Sequence, residues 1–176
     1  KKLRKERSNL TKADPSLAGF SLLLGLRPAE TPTGLSHHNI FFPKDYDAEF
    51  VDIFDRKQPV QDPTIYLCAP QDESMVKHAG HEAWFVLVNA PRHDESGKNG
   101  FDWRNENFKH KYANSIIAQI EARGINIRER LDVLEIRTPL DMQEAVMAPG
   151  GSIYGTSSNS ASAAFLRTKN RSPIKN

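Results

Sequence analysis

The chain has 176 residues, 38% of them hydrophobic, enough for one ordinary domain with a modest core. Its 24 basic and 22 acidic residues leave a net charge of +2, so nothing drives it toward nucleic acid, and its one basic run lies in residues 1–7. Cys68 is the single cysteine; it excludes an internal disulfide and, by count, a cysteine-based zinc cluster, and it fits a reducing, intracellular setting.

Residues 1–7 lead into polar sequence rather than a signal-type apolar core, and no later run reaches the roughly 18 to 20 apolar residues that span a bilayer. The chain is expected to be soluble or, at most, to lie on a membrane. It begins without Met and stops at Asn176 with no capping signal, which reads as an excised piece of a longer protein.

Residues 16–27 (SLAGFSLLLGLR) form a dense apolar run between Pro15 and Pro28 and predict a buried strand. A Pro, Gly and Thr-rich turn follows, and HHNIFF predicts a second short strand, expected to pair with the first. Over residues 45–57, Tyr46, Phe50, Ile53 and Phe54 recur at helical spacing behind acidic first-turn residues, which predicts a short amphipathic helix. Residues 63–69 and 82–90 predict inner strands of one sheet, the second too continuously apolar to be half exposed.

Residues 91–105 switch to His, Asp, Ser, Gly, Lys and Asn, the chemistry of a surface loop. In residues 106–123, Phe108, Tyr112, Ile116, Ile117 and Ile120 mark one helix face, and Gly124 stands where a C-terminal cap belongs. Residues 130–137 predict a strand, after which Thr138-Pro139 offers a cap and first position for a short helix to about Met147. Uneven strand spacing, with two pairs joined by loops without a helix, predicts an α+β fold with a mixed, largely antiparallel sheet and flanking helices. The Gly, Ser and Asn-rich tail from Pro149 still carries Ile153, Tyr154, Phe165 and Leu166, so it is either flexible or shaped around something.

Few residues suggest chemistry of their own. His37 and His38 are adjacent, and on a strand adjacent side chains point to opposite faces, so the structural reading is favoured and no metal site is expected. His78 and His81, with His93 and Asp94 beyond, sit in turn-like sequence that reads as solvated loop. There is no GxSxG elbow, and residues 150–155 (GGSIYG) match neither GxxxxGK[ST] nor a GxGxxG after a strand. Phe20, Phe41, Phe42, Phe50, Phe54, Trp84, Phe85 and Phe165 suit either a long apolar pocket or plain core.

Several strings, in order, resemble the phytoene desaturase family of carotenoid biosynthesis: SLAGFSLLLGL, GLSHHNIFFPKDYDAEFVDIF, DPTIYLCAPQDESM and EAWFVLVNAP. Residues 150–176 resemble the family segment that leads into a C-terminal flavin-contacting glycine motif. The resemblance implies the substrate domain of an amine-oxidase-like flavoprotein, with residues 1–149 as part of the substrate-binding domain and 150–176 returning toward an FAD-binding domain absent from this chain. It implies FAD in the full-length protein and none bound by this piece alone, which is expected to be inactive by itself. Desaturation of an acyclic, apolar carotenoid of the phytoene or diapophytoene type, by hydride transfer to flavin, is the implied reaction, with isomerase or oxygenase siblings as relatives of the same group. A bilayer-dissolved substrate implies a cytoplasmic, peripherally membrane-associated enzyme, with residues 1–7 either touching anionic lipid or simply solvated. Ile153, Tyr154, Gly155, Phe165, Leu166 and Arg167 are the implied substrate- or cofactor-proximal residues, and no catalytic residue is assigned. The competing expectation is a noncatalytic apolar-ligand or membrane-interaction module that works without flavin.

Overall fold

The computed structural model describes residues 15–157, with Arg4 and Ser8. Five strands form one sheet: β1 (Ala18–Leu26), β2 (His38–Phe41), β3 (Ile65–Cys68), β4 (Glu82–Ala90) and β5 (Leu131–Arg137). Their order is β2-β3-β4-β1-β5, and every pairing is antiparallel. Within residues 15–157 three α-helices accompany them: α1 (Tyr46–Phe50), which continues as a π-helical turn over Val51–Arg56, α2 (Glu106–Glu121) and α3 (Pro139–Val146). The α+β class expected from the element order is the one observed.

The expected pairing of the first two strands is not observed. All nine residues of β1 face β4 on one side, and β5 occupies its other side from Ser21 to Leu26, so no edge remains for β2. The connector through Pro28 and Pro32 carries the chain to the far margin, where the four residues of β2 pair with β3. Central placement explains why β1 is the most continuously apolar run of the chain.

The core lies between one sheet face and α2. Phe20, Leu22 and Leu24 of β1, Trp84, Val86 and Val88 of β4, Ile65 and Leu67 of β3, and Ile136 of β5 meet Tyr112, Ile116, Ile117 and Ile120 of α2. Burying a side chain of this size stabilises by about 1.5–3 kcal/mol relative to exposing it, so this layer dominates folding. Helix α2 starts where Asn105 accepts from the Phe108 amide at 3.0 Å and stops before Gly124, whose φ of +85° suits a residue without Cβ. Helix α3 starts on a capping box between Thr138 and Asp141, with Pro139 at the first turn.

Two segments depart from expectation. Residues 91–105 run over the surface only in part: Phe101 donates its amide to the Arg92 carbonyl at 2.8 Å, and this closure turns Trp103 inward to 2% exposure. The Trp103 indole donates to the Pro91 carbonyl at 3.0 Å, so a polar loop supplies one of the largest core side chains. In α1 the inward face is not the aromatic one. Ile53 and the carboxylate of Glu49 are buried, whereas Tyr46 is exposed and Phe50 and Phe54 are half-buried. The widened π turn from Val51 shifts the angular spacing that the sequence pattern assumed. No helix among the described residues is long and apolar enough to cross a membrane.

Candidate functional site: the open face of the sheet

Strand pleating sends alternate side chains to opposite faces. With Phe20, Leu22 and Leu24 turned to the core, Gly19, Ser21, Leu23 and Gly25 face the other way. The register aligns them in rows: Leu23 between Phe85 and Glu135, Ser21 between Leu87 and Arg137, Gly25 between Ala83 and Val133. Across β4, Phe85 faces Cys68 and Leu87 faces Tyr66, and beyond those stand His38 and Ile40 of the edge strand. Among the described residues no helix covers this set as α2 covers the core: Leu23 is 40% exposed, Phe85 37%, Ile40 56% and Val133 58%. The expectation that β4 is too apolar to be half exposed is therefore corrected. Its inner position is as predicted, but only Trp84, Val86, Val88 and Ala90 are buried, and the alternation was masked because both faces are apolar.

Two glycines shape this face. A Cβ on Gly19 would lie 2.8 Å from Leu87 Cδ1 and 3.7 Å from the Ile153 side chain, so Leu87 and Ile153 close over its bare backbone. Val133 does the same at Gly25. Ile153 reaches the face because residues 152–156 run antiparallel along residues 15–18, with bridges Ala18 to Ser152 and Pro15 to Thr156. The Ser16 amide donates to the Gly155 carbonyl at 2.8 Å, and the Tyr154 amide donates to Ser16 Oγ at 3.0 Å. Ile153 thus belongs to the open face, the Tyr154 side chain is largely exposed, and Gly155 takes a positive φ of 73° in the turn between them and Thr156. Phe165, Leu166 and Arg167 lie outside the described residues.

The Gly150-Gly151 turn does not fit a pyrophosphate. Its amides already donate inward, Gly150 to Gln143 Oε1 at 2.8 Å, Gly151 to the Ala148 carbonyl at 2.9 Å and Ser152 to the Pro149 carbonyl at 3.3 Å. A Cβ at Gly151 would fall 2.2 Å from the Pro139 carbonyl oxygen, so this glycine is required by close packing on α3 rather than by a ligand. The described residues therefore offer no dinucleotide cradle here.

At the β2 margin the face becomes polar. His37 occupies a bend just before β2, and this break lets its ring stand 4.3 Å from that of His38, contrary to the expectation that the two point apart. Cys68 faces His38 across the β2–β3 ladder, and one ligating atom from each of His37, His38 and Cys68 lies within 4.8 Å of the others. Tyr66 completes the group, its hydroxyl 2.8 Å from His38 Nδ1. Desolvation, followed by the adjoining Cys68 thiol, holds the Tyr66 phenol above its ordinary pKa. Two of the remaining histidines are used separately: His81 pairs with Asp132 at 3.7 Å, and His93 Nδ1 accepts from the Trp103 amide at 3.3 Å. Asp94 turns its carboxylate to the Asn99 and Ser96 amides, which hold it below the usual carboxylate range.

No family model matches the chain. It is 36% identical over 142 residues, 77% of its length, to a 1-hydroxycarotenoid 3,4-desaturase of Flavobacterium sp. (strain P99-3), of which the match covers 27%. It is 30% identical over 157 residues, 88% of its length, to a carotenoid 3,4-desaturase of Haloarcula japonica, covering 30% of that protein. A zeta-carotene-forming phytoene desaturase of Myxococcus xanthus is 29% identical over 171 residues, 96% of this chain and 30% of that protein. The chain thus spans about three-tenths of the length of these curated relatives. Over most of its own length it is homologous to one stretch of the carotenoid desaturases of the phytoene and diapophytoene desaturase family.

Proposed function

We propose that this chain is the substrate-binding part of an FAD-dependent carotenoid desaturase of amine-oxidase-like architecture, and that its open sheet face is one wall of the path taken by an acyclic apolar carotenoid. The observation that supports this most is the apolar face left open among the described residues, where Leu23, Phe85 and Val133 are exposed. A polyene offers no hydrogen-bonding groups, so a wall of this kind recognises it by apolar area and shape, and fixes which carbon–carbon bond is presented.

In the whole protein the flavin accepts the hydride when bound. This chain's residues contribute positioning and water exclusion. The inward-donating Gly150-Gly151 turn argues that the cofactor is seated by other sequence of the whole protein. Residues 152–156 run along residues 15–18 beside the open face. The test is purification of the full-length protein, release of flavin on denaturation, and conversion of phytoene or diapophytoene. A colourless protein without flavin that leaves both carotenes unchanged would sink the reading.

A second reading, an apolar-ligand or membrane-interaction module that works without flavin, is favoured by one feature. Phe42 and Tyr46 are exposed and stand edge to face at 6.0 Å, and the row continues through Phe50 and Phe54. In the desaturase reading the same row serves peripheral attachment of a cytoplasmic enzyme to the membrane that holds its substrate. Co-sedimentation with liposomes together with the flavin assay separates the two: vesicle binding with no flavin supports the module, and vesicle binding with flavin supports the enzyme.

A further inference from the structure

We propose that His37, His38 and Cys68 form a binding site for a thiophilic divalent cation, Zn²⁺, that clamps the edge strand β2 to β3. The donor set carries the argument. Two imidazoles and one thiol converge with their ligating atoms within 4.8 Å of one another, and no carboxylate belongs to the group. Sulfur with nitrogen suits borderline-soft Zn²⁺ and suits Mg²⁺ or Ca²⁺ poorly. Zn–N distances of about 2.0 Å and a Zn–S distance of about 2.3 Å place tetrahedral ligands roughly 3.5 Å apart, so closure needs shifts of about 1 Å.

The structure permits those shifts. Both histidines are exposed, and His37 lies outside the ladder, so its ring reorients without breaking a strand pairing. Cys68 is half-buried on β3 and supplies the fixed point. The Tyr66 hydroxyl adjoins both Cys68 and His38 Nδ1, the latter at 2.8 Å, and so borders the site. A thiolate and two neutral imidazoles leave a net positive centre with a fourth position open to water. Counting cysteines excludes a cluster of several, but a site with one sulfur and two nitrogens needs only Cys68. The consequence is mechanical: β2 has four residues and one neighbour, and a cation bridging β2 and β3 ties the margin of the open face.

The test uses the whole protein, stripped with a chelator, then titrated with Zn²⁺ by calorimetry and with Co²⁺ by absorption. The expected result is one Co²⁺ with a thiolate charge-transfer band, absent in Cys68→Ser, and Zn²⁺ affinity at least about tenfold weaker in Cys68→Ser and in His37→Ala. His37→Ala guards against a folding defect, because that side chain is exposed and outside the strand. Zn²⁺ is also expected to raise the thermal unfolding midpoint of the wild type and not of Cys68→Ser. Equal Zn²⁺ affinity in the wild type and both variants, or a Co²⁺ spectrum without the thiolate band, overturns the assignment.

Discussion

The carboxylate of Glu49 is wholly buried, and its Oε1 accepts from the Asn89 side-chain amide at 2.8 Å while Oε2 accepts from the Thr64 backbone amide at 2.8 Å. One side chain of α1 thus ties together the end of β4 and the entry to β3. Two part-buried donors would lose their acceptor in Glu49→Ala. Hydrogen bonds to charged groups contribute about 1.5–3 kcal/mol each, and orphaned donors add to the loss, so the expected destabilisation is about 3 kcal/mol or more. Urea unfolding checks this: a midpoint unchanged from wild type would mean that water replaces the carboxylate at no cost.

Tyr112 makes a second tie, from the core side. Its hydroxyl donates to the Val60 carbonyl at 3.0 Å. Burial, with Glu49 and Asp52 adding their charges, holds its phenol far above the ordinary value. In the unfolded chain the phenol ionises near pH 10, whereas in the folded chain it stays neutral to higher pH. Its stabilisation is therefore full below about pH 10 and is lost as pH rises beyond that. Unfolding midpoints measured from pH 8 to 11 are expected to fall more steeply for the wild type than for Tyr112→Phe, and parallel curves would contradict the assignment.

Trp103→Ala is expected to cost about 3–5 kcal/mol, the range for deleting a buried tryptophan. The side chain packs against Phe20 at 5.5 Å and Phe101 at 5.0 Å, and its indole holds the Pro91 carbonyl. Chemical denaturation measures it, and a loss below about 1 kcal/mol would show that the 91–105 loop does not share the core. Residue types alone gave that loop a surface character, because Trp103 is one apolar position among polar ones.

Elements bounded by local chemistry were legible from the chain alone. Gly124 ends α2, and Thr138-Pro139 starts α3, because caps act through residues within one turn. What depends on distant partners was not legible. Whether β2 lies beside β1 or β3 is decided by β4 and β5 filling both sides of β1, and the meeting of His38 with Cys68 follows from that register alone. The face of α1 was misread for a related reason: Glu49 turns inward only because Asn89 and Thr64 wait there with donors. Of the anticipated site residues, Ile153 reaches the open face, and Leu23, Tyr66, Leu87 and Val133 join it through strand pairing that no single stretch of sequence displays.

The open face makes a prediction that separates stability from function. Leu23→Glu and Phe85→Glu place a carboxylate on a surface already about two-fifths exposed, so each is expected to change stability by about 1 kcal/mol or less. A carboxylate facing an apolar polyene must be desolvated or must push the chain away, a cost of several kcal/mol on transfer scales. In the full-length protein, conversion of an acyclic carotene is therefore expected to fall at least about a hundredfold, each 1.4 kcal/mol being a factor of ten. Flavin content should stay unchanged, because neither residue lies in the Gly150-Gly151 turn or the segment that follows it. Thr31→Glu, at an exposed position on the connector before β2, serves as the matched control and is expected to keep wild-type turnover. If the face variants desaturate carotene as fast as this control, the open face is not the substrate wall, whatever the flavin content of the whole protein proves to be.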